Sequence, residues 1–246
     1  MKTASSLQLN VADEKLDLIR SRVCSYQWEK IPDLDGWDAG TNKRWLKELC
    51  SYWIEEFDWR AQEEYINKFH HFEAEIDGLK THFIFEQGSG INPKPLLLTH
   101  GWPGSFVEFL QLVEPLAHPE RFGGNVEDAF TVVVPSLPGF GLTQAPKKPW
   151  GPRRMAKALN SLMTKELGYE SYIAQGGDWG GAITSWLGFE HSSACKAIHI
   201  NILTMRHPDG PQTAEEQSWS EQFDADQIMQ NGYRTQQATK PQSLGF

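Results

Sequence analysis

Gly176-Gly177-Asp178-Trp179-Gly180 sets a carboxylate in the spacing small–x–nucleophile–x–small. Tyr172, Ile173 and Ala174 before it form a short apolar run of strand character, and Ala182, Ile183, Trp186 and Leu187 after it fall at helical spacing. A nucleophile on a sharp strand-to-helix turn needs small neighbours, because a Cβ there would meet the adjoining backbone. Such turns commonly carry serine. Aspartate changes the chemistry, since with a reference pKa of about 3.9 it is ionised at pH 7 without a base. It is a weak nucleophile toward esters, but it can attack a strained or activated sp³ carbon and leave an enzyme ester. Epoxides and alkyl halides offer such a carbon. Water must then attack the Asp178 carbonyl, which puts an oxyanion on the aspartate's own oxygen.

That oxyanion needs preorganised donors. One candidate is the backbone N–H of Trp179, and the other is Trp102 in His100-Gly101-Trp102-Pro103-Gly104, on a loop after an apolar strand. Taken singly, Asp178 reads as a helix N-cap and the second motif as a simple turn. Together, at the ends of two strands and in this order, they read as a site. Gly177 and Gly180 shape the turn, Gly101 and Pro103 shape the loop, and His100 has a structural role there. Among eight histidines, His207 is the one near the strand ends after Asp178, with Asp209 two residues on. An i,i+2 pair on a loop has no fixed geometry for a base, so this pair is a weak substitute. His191 ends the helix after the elbow and is expected to point away. His70 and His71 lack a third ligand at helical or strand spacing, so no metal is expected.

The elements that position these groups follow in chain order. Asp13 to Val23 has an amphipathic pattern with Asp13 as N-cap, and a second helix is expected from Asn42, with Leu46, Leu49, Cys50, Trp53 and Ile54 on one face. Ile31 to Thr41 reads as a loop, and a short helix runs through Tyr65. Phe72–Ile76 and His82–Phe85 flank Asp77-Gly78, a hairpin signal. Pro95–Thr99 and Phe130–Val134 are continuous apolar strands, with a helix between them capped by Ser105. Met155 to Leu167 is expected to be a helix closed by Gly168, and Ala197 to Ile202 a further strand. Strands alternating with helices predict an α/β fold with a mostly parallel sheet and helices on both faces. Beyond Thr204 the pattern weakens, leaving short helices around Trp219 and Ile228.

Composition narrows the classes. The chain has 246 residues and a net charge of −9, so no basic stripe is available for a nucleic-acid partner. Three widely spaced cysteines (Cys24, Cys50, Cys195) match neither a disulfide framework nor a zinc pattern, and read as reduced, mostly buried thiols. The first residues lack the apolar core of a signal peptide, and no run is long enough to span a bilayer, so a cytoplasmic location is expected. Ten tryptophans exceed what a core of this size needs and suggest an aromatic-lined pocket.

The chain resembles the epoxide hydrolases of the microsomal and fungal type. The carriers are HGWPGSFVEFL at His100 to Leu110, VVVPSLPGFG at Val132 to Gly141 and AQGGDWGG at Ala174 to Gly181. GWDAG at Gly36 to Gly40, LKELCSYW at Leu46 to Trp53 and FDWRAQE at Phe57 to Glu63 match the helical N-terminal extension of that branch. The resemblance implies an α/β-hydrolase fold divided into a helical segment over 1–70, a partial core over 71–203 and the start of a lid over 204–246. It implies Asp178 as nucleophile, Trp102 and Trp179 as oxyanion-hole donors, and a lid tyrosine, Tyr233, as proton donor to the opening epoxide. The substrate would be a small apolar epoxide, with no metal or organic cofactor; dimerisation is left open. The family pattern continues with further core strands, an acid and a base histidine, so this chain is expected to be C-terminally incomplete and impaired in turnover. A haloalkane dehalogenase shares the Asp nucleophile and is the alternative enzyme reading, and a non-catalytic remnant is the other alternative.

Overall fold

The structure, a computed structural model, describes residues 1–34, 36–38, 40–202 and 207–245. Ala39 of the GWDAG motif, Phe246, and residues 203–206, where core and lid were expected to meet, lie outside the described residues. The chain divides into two compact units, Met1–Ile202 and Leu203–Phe246.

The first unit runs β1 (Ser5–Leu7), α1 (Asp13–Cys24), α2 (Lys43–Glu55), α3 (Trp59–Ile66), β2 (His71–Ile76), β3 (Leu79–Glu86), β4 (Lys94–Thr99), α4 (Leu110–Ala117), β5 (Phe130–Pro135), α5 (Pro152–Ser161), β6 (Tyr172–Gly176), α6 (Trp179–Glu190) and β7 (Cys195–Ile200). Its sheet has the order β1-β2-β3-β5-β4-β6-β7. Pairing is antiparallel from β1 through β3 to β5, and parallel from β5 through β4 and β6 to β7. The central strands are apolar on both sides because helices cover both faces. Successive residues serve opposite faces: Leu97 and Val133 join one core with Ala174, Ile183 and Leu187, while Leu96, Leu98, Val132 and Val134 join another with Phe106 and Val113.

Several expectations are corrected. Asp13 does not cap α1. Ala12 holds the cap position without a side-chain bond, and Asp13 pairs instead with Arg60, which also bonds the Val11 carbonyl and Glu63. Strand β1 lies in a stretch that shows no strand pattern. It is preceded by Lys2, Thr3 and Ala4, whose N–H groups all donate to the Glu166 carboxylate at 2.6–2.8 Å. Burial favours the neutral form of Glu166, but these bonds outweigh it and hold its pKa below the usual carboxylate value. Glu166 closes a π-helical turn, Leu162–Glu166, into which α5 passes, so the expected helix from Met155 to Leu167 is not one regular helix. Cys24 is exposed rather than buried, whereas burial pushes the Cys195 thiol up to about 11.

The second unit contains α7 (Ala214–Gln230), α8 (Gly232–Thr239) and α9 (Pro241–Gly245). A 17-residue helix thus stands where short helices were expected. It starts from a reciprocal box: Thr213 Oγ1 accepts from Glu216 N at 3.2 Å, and Glu216 Oε2 accepts from Thr213 N at 3.0 Å.

Candidate active site

Asp178 sits between the end of β6 and the start of α6 with φ 51° and ψ −126°. An L-residue holds such a conformation at a cost of about 1–3 kcal/mol, and only where its surroundings over-determine it. Here the surroundings are backbone. A Cβ on Gly176 would lie 2.2 Å from the Gly180 carbonyl oxygen, and one on Gly180 would lie 2.0 Å from that of Thr99. A Cβ on Gly101 would be 2.6 Å from the Asp178 side chain, so the loop after β4 presses directly on Asp178. Gly177 is less constrained, its nearest neighbour being Asn201 Cβ at 3.3 Å.

The Trp102 backbone N–H donates to Asp178 Oδ1 at 2.8 Å, and the following Trp102–Pro103 peptide is cis. Trp179 is the first residue of α6, where backbone N–H groups have no acceptor within the helix. His100 braces the same loop from behind. Its Nε2 accepts from Leu137 N–H at 3.0 Å, so the proton is on Nδ1, which donates to the Gly101 carbonyl at 3.0 Å. Burial disfavours its charged form and lowers its pKa, the bond to Gly101 working in the other direction. Both ring nitrogens are occupied by backbone.

Beside Asp178 is a cavity of about 270 Å³ lined by Trp102, Phe109, Glu108, Gln175, Asn201 and Ile202 among others. Gln175 Nε2 donates to Asn201 Oδ1 at 3.1 Å, while Gln175 Oε1 and Thr99 Oγ1 are buried with no partner among the described residues. A wider depression of about 660 Å³ shares no lining residue with this one, and it holds the ion pairs Arg153–Glu190 at 2.5 Å and Arg154–Asp77 at 3.5 Å. The cavity that holds Asp178 and Trp102 is the smaller one.

Two family models match: "Epoxide hydrolase N terminus" over residues 4–109 and "alpha/beta hydrolase fold" over residues 94–244. The chain belongs to the alpha/beta hydrolase family, in its epoxide hydrolase branch. A homologue in Stigmatella aurantiaca (strain DW4/3-1) is 37% identical over 243 residues, covering 97% of this chain and 55% of its own. Epoxide hydrolase 1 of Sus scrofa is 35% identical over 206 residues, 81% of this chain and 45% of its own. The solved Aspergillus niger epoxide hydrolase superposes with a TM-score of 0.86 at 30% identity, covering 100% of this chain and 65% of that one. The chain spans about half the length of the curated relatives it matches.

Within this epoxide hydrolase branch chain, the first unit brings Asp178, Trp102, Gly101, His100 and Pro103 into one cavity wall. Tyr233 lies in the second unit, on α8, and is 55% exposed. His207 and Asp209 also belong to that unit, with Nδ1 and Oδ2 3.8 Å apart. Sequence reasoning did not single out Glu108, Gln175 or Asn201. Glu108 carries a signal, the Ser105-x-x-Glu108 spacing of a capping box, whereas the Gln175–Asn201 pair joins residues 26 apart and has none. Among the described residues, no cluster of three or more His, Cys, Asp or Glu side chains could hold a metal, and no helix is long and apolar enough to cross a membrane.

Proposed function

We propose that this chain carries the nucleophilic half of an epoxide hydrolase that converts small apolar epoxides to vicinal diols. The observation that carries the reading is the 2.8 Å bond from Trp102 N–H to Asp178 Oδ1. That bond divides the labour between the two carboxylate oxygens. Oδ1 is already engaged, so Oδ2 attacks the epoxide carbon, and the C–O bond of the ring breaks as the Oδ2–C bond forms. Tyr233, a phenol, suits the proton donor to the departing alkoxide. Water then adds to Asp178 Cγ, charge develops on Oδ1, and the donor is already at oxyanion-hole distance. Trp179 N–H is the second donor. Cγ–Oδ2 cleavage frees the diol and leaves the water oxygen in the carboxylate.

The epoxide, rather than an alkyl halide, is supported by the N-terminal family match and by the relatives' names. The second step needs a base. His100, the histidine lining the cavity, has no free ring nitrogen, so ester cleavage within these residues is expected to be slow.

Intact mass after incubation with styrene oxide tests this. One adduct should form on Asp178, none on Asp178→Asn, and turnover in H₂¹⁸O should place label in Asp178. A wild-type chain that gains neither adduct nor label would overturn the proposal.

A further inference from the structure

Gln175 and Asn201 line the same cavity as Asp178 and have no part in the steps above. Trp102, Phe109 and Ile202 supply apolar surface that suits the hydrocarbon part of an epoxide, and the two amides add polar surface beside it. A pocket of this kind uses a few placed polar groups to orient and select its ligand. The fold sets the pair. Gln175 lies on β6 before the elbow, and Asn201 follows β7, which runs parallel beside it. Asn201 N–H donates to the Gly176 carbonyl at 3.2 Å, and its Cβ lies 3.3 Å from where a Gly177 Cβ would be, one residue from Asp178. Gln175 Nε2 donates to Asn201 Oδ1 at 3.1 Å, which leaves Gln175 Oε1 as the buried orphan. Reversing both amides would orphan a buried N–H group instead, the rarer of the two. Asn201 Oδ1 is thus taken. Its Nδ2 has no partner among the described residues, on an exposed side chain that lines the cavity. A brace between strand ends needs only the Gln175 bond, not spare donors beside a nucleophile.

We infer that Asn201 selects epoxides whose substituent carries a hydrogen-bond acceptor near the ring, an ether or carbonyl oxygen, an inference that deepens the epoxide reading above and rests on it. Asn201 Nδ2 donates to that oxygen while the hydrocarbon part lies against Trp102, Phe109 and Ile202. The acceptor is near the ring because Asn201 packs against the residue that precedes Asp178. A purely hydrocarbon epoxide would strip water from the Asn201 donors and offer nothing in return, which is the cost that lets a polar group discriminate. No bond is made or broken at Asn201, and Asp178 opens the ring as before.

Methyl glycidyl ether and 1,2-epoxypentane have nearly the same shape and differ by an oxygen in place of a CH₂ group. Each is incubated with the 246-residue chain, and adduct formation followed by intact mass gives the ratio of the two rates. Comparing that ratio between the unaltered chain and a variant cancels the intrinsic reactivities. Asn201→Leu removes the whole amide, whereas Asn201→Asp keeps an acceptor for Gln175 and removes only the donors. In both variants the ether-to-hydrocarbon ratio should fall by about fivefold, the scale of one neutral hydrogen bond. Ratios that stay within about twofold of the unaltered chain's, even where both rates drop together, would reduce Asn201 to a brace between β6 and β7. That result would overturn the inference while leaving Asp178 as nucleophile. Absence of any adduct from either epoxide on the unaltered chain would overturn the epoxide reading and this one with it.

Discussion

Asp77 and Asp178 are the two non-glycine positions with positive φ among the described residues, at 52° and 51°, and they reach it by opposite routes. Asp77 opens the two-residue loop between Ile76 and Leu79, which pair across the hairpin. Gly78 follows at φ 75°, so both loop residues take the twist that a tight hairpin prefers. Nothing lies within 4 Å of where a Gly78 Cβ would be. That turn is made by its own dipeptide. Asp178, by contrast, has a ψ of −126°, outside the small left-handed well that aspartate tolerates. The ends of β4 and β6 and the first turn of α6 close around it. One conformation is local chemistry, and the other is imposed by tertiary packing.

Glycine replacements separate the two most sharply. At Gly180, a methyl group would lie 2.0 Å from the Thr99 carbonyl oxygen and 2.8 Å from that of His100, both backbone atoms at the end of a central strand. Gly180→Ala should therefore cost about 3 kcal/mol in urea unfolding, at the upper end of overpacking effects, and abolish adduct formation. Gly78→Ala meets no atom and suffers only from its φ, a loss of about 1 kcal/mol, with adduct formation kept. Equal losses at the two sites would mean that the elbow is as self-sufficient as the hairpin turn.

The same distinction explains what could be read from the chain. The hairpin turn, the glycine pattern of the elbow, the His100-to-Gly104 loop and the buried runs of β4 and β5 are written in adjacent residues, so periodicity and turn chemistry find them. What escaped depends on partners far away. β1 is three residues long and lies next to a segment fixed by Glu166, more than 160 positions on. Asp13 has the right type for a cap, but Arg60, 47 residues later, draws it off. The buried pair His71 and His82 gave no signal either, since a histidine in a strand pattern does not announce its partner. At the site, Asp178 and Trp102 were legible because each belongs to a motif. Asn201 was not, because only the parallel pairing of β6 with β7 brings it to Gln175.

Acid should act on both regions from one direction, and more strongly on the hairpin. His71 Nε2 donates to the Ile66 carbonyl at 2.8 Å, so its Nδ1 accepts from His82 Nε2 at 2.9 Å, and His82 Nδ1 accepts from Ser136 Oγ at 2.8 Å. Protonating His82 removes the acceptor that Ser136 needs. Burial, with the neighbouring His71 adding, pushes the His82 pKa down to about 3. Burial likewise lowers His71 and, behind the elbow, His100. Because the unfolded chain takes up these protons near pH 6.5 and the folded one does not, stability is complete above pH 6.5 and falls as the pH drops toward 3. His82 alone should account for about 2 kcal/mol at pH 5. Urea midpoints measured from pH 8 to pH 5 should be level at first and then decline. A level profile throughout would mean that the buried pair admits a proton without loss.

The smallest effect is expected at Asp77 itself, where the comparison is most exposed to failure. Asparagine shares aspartate's tolerance of positive φ and is equally favoured before glycine in a two-residue hairpin loop. Its carboxylate meets Arg154 at 3.5 Å, but that pair is solvent-exposed and worth little. Asp77→Asn should thus leave stability within about 0.5 kcal/mol and adduct formation unchanged, the ordinary range for a surface replacement that preserves local geometry. A loss several times larger would show that the Arg154 contact, rather than the dipeptide, holds the turn, and the hairpin would then share the elbow's dependence on distant partners.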